Sequence, residues 1–135
     1  MKPNLKTINM LSEKFKLLIE KLINKTNKRE IIWSKTHRDD EYMLKVGNST
    51  ILIDCWIDDN FQNIVELAIY NNSGDKIDGI IINEQQVDYP FLLGLHAIAK
   101  QAYYNVDETF KSIFDELDSN RIVGEKKKNE LDDLI

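Results

Sequence analysis

Residues 41–83, EYMLKVGNSTILIDCWIDDNFQNIVELAIYNNSGDKIDGIIIN, decide the fold, because apolar residues recur at every second position between clusters of turn residues. Tyr42, Leu44 and Val46 alternate with Met43 and Lys45. Ile51, Ile53, Cys55 and Ile57 alternate with Thr50, Leu52, Asp54 and Trp56, and Val65, Leu67 and Ile69 oppose Glu66 and Tyr70. A period of two puts alternate side chains on opposite faces of a strand. Gly47-Asn48-Ser49 reads as a hairpin connection and Asp58-Asp59-Asn60 as a strand break. Asn71-Asn72-Ser73-Gly74-Asp75 is the clearest turn, since Asn and Gly tolerate positive φ. A fourth strand follows over 76–82, with Gly79 as a candidate bulge. Short links between consecutive strands favour an antiparallel meander.

The period changes on both sides of this block. Ile8, Leu11, Phe15, Leu18 and Leu22 recur at spacings of three and four, and Ile19 and Ile23 widen the stripe, which predicts a helix over 7–26 starting at Thr7 or Asn9. Downstream, Asp88 is suited to cap a helix and Pro90 to its first turn. Leu92, Leu95, Ala99, Ala102, Val106, Phe110, Ile113 and Leu117 then keep helical spacing over 89–117. Asn105-Val106-Asp107 can kink or interrupt this helix, with Asp107 capping a second segment. Gly124 can stop a helix, and 119–135 reads as a charged tail. The expectation is an α+β domain over 1–118: N-terminal helix, antiparallel sheet of about four strands, long C-terminal helix. Whether the first helix covers the isoleucine face of the sheet or the opposite one stays open.

A chain of 135 residues is one domain's worth. Its single cysteine, Cys55, excludes an internal disulfide framework and fits a reducing compartment, and residues 1–30 hold no unbroken apolar run, so a cytoplasmic protein without signal or membrane span is expected. Net charge is −5, and the one lysine run, Lys126-Lys127-Lys128, is hemmed in by acids, which argues against nucleic acid as partner. Ile, Lys and Asn make up about a third of the chain, the bias of an AT-rich genome such as that of a bacterium, a phage or a mobile element.

Residues 34–41 (Ser-Lys-Thr-His-Arg-Asp-Asp-Glu) concentrate the most side-chain chemistry: His37 could move a proton and Arg38 could grip an anion. A solvated connector explains the same composition. Asp54, Asp58, Asp59 and Glu66 could gather around a cation but lack a metal-loop spacing; acids at a strand end serve equally as turn formers and edge guards. Cys55 shares the phase of the isoleucines and reads as a core residue rather than a reactive thiol. His96, fifty-nine positions from His37, reads as a packing histidine, so no metal site and no cofactor are expected. Trp33, Trp56, Tyr70, Tyr103 and Tyr104 are candidates for partly exposed binding aromatics, with Trp56 and Tyr70 on the face opposite the isoleucines. Phe91, Ile98 and Phe114 lie off the main helical stripe and make a candidate homodimer interface.

Ile31-Ile32-Trp33, residues 65–70 with Asn72-Ser73-Gly74, and residues 92–117 resemble the layout of a loose group of small, largely uncharacterised helix–meander–helix proteins of bacteria, phages and mobile elements, over about residues 5–118. The resemblance implies a context of accessory proteins that inhibit, neutralise or sequester, and carries over no functional residue. The function expected is a non-enzymatic interaction module that binds and modulates or inhibits a macromolecular partner, a protein first of all. The alternative is a binder that sequesters a small anionic or nucleotide-like ligand at a dimer interface, using His37, Arg38 and aromatic stacking.

Overall fold

The computed structural model describes residues 11–124, in two compact units divided between Tyr104 and Asn105. The first unit holds helix α1 (Glu13–Asn27), strands β1 (Ser34–Lys35), β2 (Glu41–Val46), β3 (Ser49–Ile57), β4 (Asn63–Tyr70) and β5 (Lys76–Asn83), and helix α2 (Tyr89–Tyr103). All neighbouring strands are antiparallel, and the sheet order β1-β2-β3-β4-β5 follows the chain. The α+β class, the antiparallel meander and the flanking helices are thus as the periodicities predict.

Five strands form where four were expected. The extra one, β1, arises in the polar connector, where Ser34 and Lys35 pair with Met43 and Tyr42 on the otherwise open edge of β2. Polar side chains do not prevent this, because edge pairing is made by the backbone. The β2–β3 loop is Gly47-Asn48 alone; Ser49 already pairs with Val46, and Gly47 at φ 60° supplies the positive φ that a two-residue hairpin needs. The irregularity in β5 falls opposite Ile69 and Tyr70, not at Gly79. Gly79 does another job. A Cβ there would stand 3.0 Å from both the Leu67 carbonyl oxygen and Cε of Lys76, so the missing side chain leaves room for the Lys76 stem to cross the sheet toward Glu66.

Helix α1 begins at Glu13 behind Ser12, whose hydroxyl accepts the Phe15 amide at 3.2 Å. The expected starts, Thr7 and Asn9, lie outside the described residues. At its other end Glu30 N–H reaches the Lys25 carbonyl and Arg29 N–H the Thr26 carbonyl, with Arg29 left-handed at φ 62°. That pairing is a Schellman stop, reached here without glycine. Asp88 precedes α2 but does not cap it; its carboxylate accepts the Leu11 amide at 2.8 Å instead, tying the chain before α1 to the start of α2.

Ile19 and Leu22 of α1, Leu92, Leu95 and Ala99 of α2, and Tyr42, Leu44, Ile51, Ile53, Val65, Leu67 and Ile82 of the sheet bury one another in a single core. Both helices therefore lie on the isoleucine face, which makes this unit two-layered. The sequence alone left that choice open. Trp33 belongs to this core too. It is buried, and its indole N–H donates to the Thr26 hydroxyl at 3.1 Å, which donates in turn to the Leu22 carbonyl at 2.6 Å. The expected partly exposed position for Trp33 is corrected: its one polar atom finds a partner inside, so the whole ring can leave water.

The second unit contains α3 (Val106–Leu117). Asn105, left-handed at φ 51°, precedes α3, so the expected interruption falls there, and Asp107 lies inside the helix rather than capping it. The helix ends at Leu117, seven residues before Gly124; Ser119 and Arg121 fold back onto Glu116. Of the expected tail, 125–135 lies outside the described residues.

Candidate functional site

Cross-strand register builds the face of the sheet opposite the core from four rungs. The first joins Trp56, Ile64 and Asn83, and the second Glu41, Asp54, Glu66 and Ile81. Met43, Leu52, Ala68 and Gly79 form the third; Lys45, Thr50, Tyr70 and Lys76 form the fourth. The second rung places three carboxylates on adjacent strands, an arrangement that like-charge repulsion disfavours. Each has its own compensation. Thr36 donates its hydroxyl to Glu41 at 2.8 Å, Arg38 Nε binds Asp54 at 2.8 Å, and Lys76 Nζ binds Glu66 at 3.0 Å. The Asp54 side chain is only 5% exposed, and its hydrogen bond, with the further charges of Glu41 and Glu66, holds the Arg38 guanidinium more firmly in its charged form. Leu52, Ala68 and Tyr70 line a shallow dish beside these acids. Among the described residues no three His, Cys, Asp or Glu side chains converge to hold one metal ion.

At one end of this face, next to the Trp56 rung, lies the 58–62 loop between β3 and β4. An oxygen of the Asp58 carboxylate accepts the amides of Asn60 at 2.9 Å and Gln62 at 3.0 Å. The Phe61 amide donates to the Asp58 carbonyl at 3.0 Å, and the Asp58 amide to the Gln62 carbonyl at 2.9 Å. Four hydrogen bonds in five residues leave little local freedom. The fourth residue, Phe61, sits at φ 60° with 87% of its surface exposed. A bulky residue in the left-handed region is an outlier that costs roughly 1–2 kcal/mol. Exposing its ring forfeits a burial worth roughly 1.5–3 kcal/mol. Ile57, at the end of β3, is exposed as well.

The residues expected to bind from sequence are distributed over several places. Trp56 and Tyr70 are half-buried on the outer face, as their phase predicts, and Arg38 reaches the same face through Asp54. His37 is exposed in the loop between β1 and β2. Tyr103 and Tyr104 are partly exposed at the end of α2, on the core side, stacked edge to face at 4.8 Å and flanking Tyr42. Tyr42 is fully buried, and its hydroxyl has no hydrogen-bond partner among the described residues; Tyr104 lies close enough to oppose its ionisation without hydrogen-bonding geometry. Burial is the main reason that this phenol's pKa is raised. His96 is buried against Tyr42 and donates Nε2–H to the Asp40 carbonyl at 2.7 Å, a packing role; a carbonyl can only accept, which sets the tautomer. Burial pushes the Cys55 thiol up to about 12, with Asp40 and Asp54 adding to it. Phe91 packs on the core, Ile98 is half-buried, and Phe114 is exposed on α3.

Sequence reasoning missed Phe61. The available signal was spacing: Asp58-Asp59-Asn60-Phe61-Gln62 has an Asx residue first, like Asn71-Asn72-Ser73-Gly74-Asp75, and puts Phe where the second loop has Gly. No family model, curated protein or solved structure matches the chain.

Proposed function

We propose that this chain is a non-enzymatic interaction module that binds a protein partner through the outer sheet face and the adjoining 58–62 loop. Phe61 carries the reading: a rigid loop holds an aromatic ring in water at a backbone position that favours glycine. Backbone strain combined with an exposed large apolar group is the pattern of a surface whose stability is recovered on binding. Trp56 extends the apolar part on that face, and the rung of Glu41, Asp54 and Glu66 suits a partner segment carrying arginine or lysine. Binding by such a module would modulate or inhibit the partner by covering a surface of it.

Capture of partners from a lysate of the source cell by the native protein and by Phe61→Gly tests this. Phe61→Gly removes the ring and the strain together, so it should keep the fold and lose the partner by at least about tenfold in apparent affinity. Glu66→Lys should weaken the same interaction and reduce its dependence on salt. An identical set of captured proteins from all three would refute the reading. The alternative, a small anionic or nucleotide-like ligand held by Arg38 and His37, has less support. Arg38 faces three carboxylates, which oppose a second anion there.

A further inference from the structure

We infer that α3 is a self-association helix, pairing side by side with α3 of a second copy of this chain about a twofold axis. The inference is independent of the sheet surface and stands on a separate observation. Helix α3 is 12 residues long and none of its residues is buried. A helix that short is marginal in water by itself and draws its stability from packing of an apolar face. Such a face is present. Val106, Phe110, Ile113 and Leu117 are spaced four, three and four apart, and Phe114 widens the stripe, its ring centroid 5.9 Å from that of Phe110. Phe110, Ile113, Phe114 and Leu117 are 54%, 47%, 56% and 58% exposed, and Ile122 and Val123 just beyond are exposed too.

Spacing and area both fit a second copy as occupant. A four-three-four spacing is the seam of a two-helix coiled coil. In an antiparallel pair it sets Val106 against Leu117 and Phe110 against Ile113, and the twofold axis repeats both contacts. Four apolar layers follow from one stripe meeting itself. With aromatic side chains offering about 150–250 Å² each, the half-exposed residues of α3 with Ile122 and Val123 present on the order of 500–700 Å² per chain. That lies a little under the roughly 800 Å² per partner of a stable interface and suits a reversible dimer. Asp107, Glu108, Asp115 and Glu116 outnumber Lys111 along the helix, so two copies carry like charge and the contact has to be hydrophobic. Of the residues named from sequence as a dimer interface, Phe114 belongs to this surface.

Sedimentation equilibrium of the full chain tests the inference. The native protein should show a monomer–dimer equilibrium at about 10–100 µM, tightening as salt screens the like charges. Phe110→Glu and Phe114→Glu should each weaken it at least about tenfold, with an unchanged melting transition of the sheet unit by circular dichroism, because neither ring is buried. Phe110→Leu should keep the dimer. A monomer up to about 100 µM in the native protein overturns the inference, as does a dimer that survives both glutamate variants. Phe61→Gly separates it from the proposed function, since that change should leave the dimer intact while releasing the protein partner.

Discussion

The two five-residue loops at 58–62 and 71–75 share one hydrogen-bonded frame and differ most sharply at its fourth position. In the second, Asn71 Oδ1 accepts the amides of Ser73 at 2.9 Å and Asp75 at 3.0 Å. The Gly74 amide donates to the Asn71 carbonyl at 3.0 Å, and the Asn71 amide to the Asp75 carbonyl at 2.9 Å. Bond for bond this repeats the loop headed by Asp58. Gly74 holds the left-handed position at φ 86° with nothing within 4 Å of where its Cβ would be; Phe61 holds the matching position at φ 60°, in water. The same hydrogen-bonded frame is thus used once with the residue that stability favours and once with one that stability disfavours. Where local chemistry and residue choice disagree on an otherwise well-made loop, function is the first place to look for the reason.

The largest effect should come from breaking the shared frame. Asp58→Ala and Asn71→Ala each remove the acceptor of two amides and should cost about 2 kcal/mol in urea unfolding, Asp58 at least as much as Asn71 because its acceptor is charged. A clear inequality in the other direction would mean that the loops are not energetic equivalents. Putting the disfavoured residue into the favoured loop comes next. Gly74→Phe meets open space, so its cost is backbone strain alone, about 1–2 kcal/mol. The reverse change, Phe61→Gly, should raise stability by about 0.5–1 kcal/mol, the relief of strain exceeding the added chain entropy of glycine. A destabilised Phe61→Gly would show that the ring packs within its own chain and would remove its candidacy as a contact.

A pH series is a control on all three, and the effect expected on the loop differences themselves is none. Cys55, Tyr42 and Tyr89 each hold a raised pKa, with burial as the leading cause. An acid whose pKa is higher in the fold than in the unfolded chain contributes stability that is complete below its ordinary value and lost as pH rises through the folded value. For Cys55 that window runs from 9.0 to about 12. Unfolding free energy should therefore fall as pH is raised above about 9, while the differences among the loop variants stay constant, since the loops and these groups share no partner. Alkylation of Cys55 in the native protein should likewise remain slow at pH 8, where the thiolate is scarce. Rapid reaction would put the thiol outside the core.

The helices and strands were legible because their periods are local. A strand shows its two faces over six residues, so Tyr42 and Ile53 could be assigned to the core and Trp56 and Tyr70 to the outer side from spacing alone. The 71–75 turn was legible because Asn and Gly announce positive φ. The 58–62 turn was read only as a break, since Phe gives no such signal. Trp33 was misjudged because its hydrogen-bond partner, Thr26, stands seven residues back on α1, at a distance that periodicity does not measure. The short strand β1 escaped notice for a related reason: it exists only as a backbone pairing to β2.

By itself the chain determined its element types, its antiparallel meander and the inner and outer faces of its strands, all of which follow from φ preferences and side-chain direction over a few residues. Tertiary structure decided which face the helices cover, because either face had apolar residues to offer and only packing chooses between them. It also set Glu41, Asp54 and Glu66 side by side and drew Arg38 and Lys76 over them, since register joins residues that are many positions apart. And it left the Phe61 ring in water, while four local hydrogen bonds of the loop hold its backbone at positive φ.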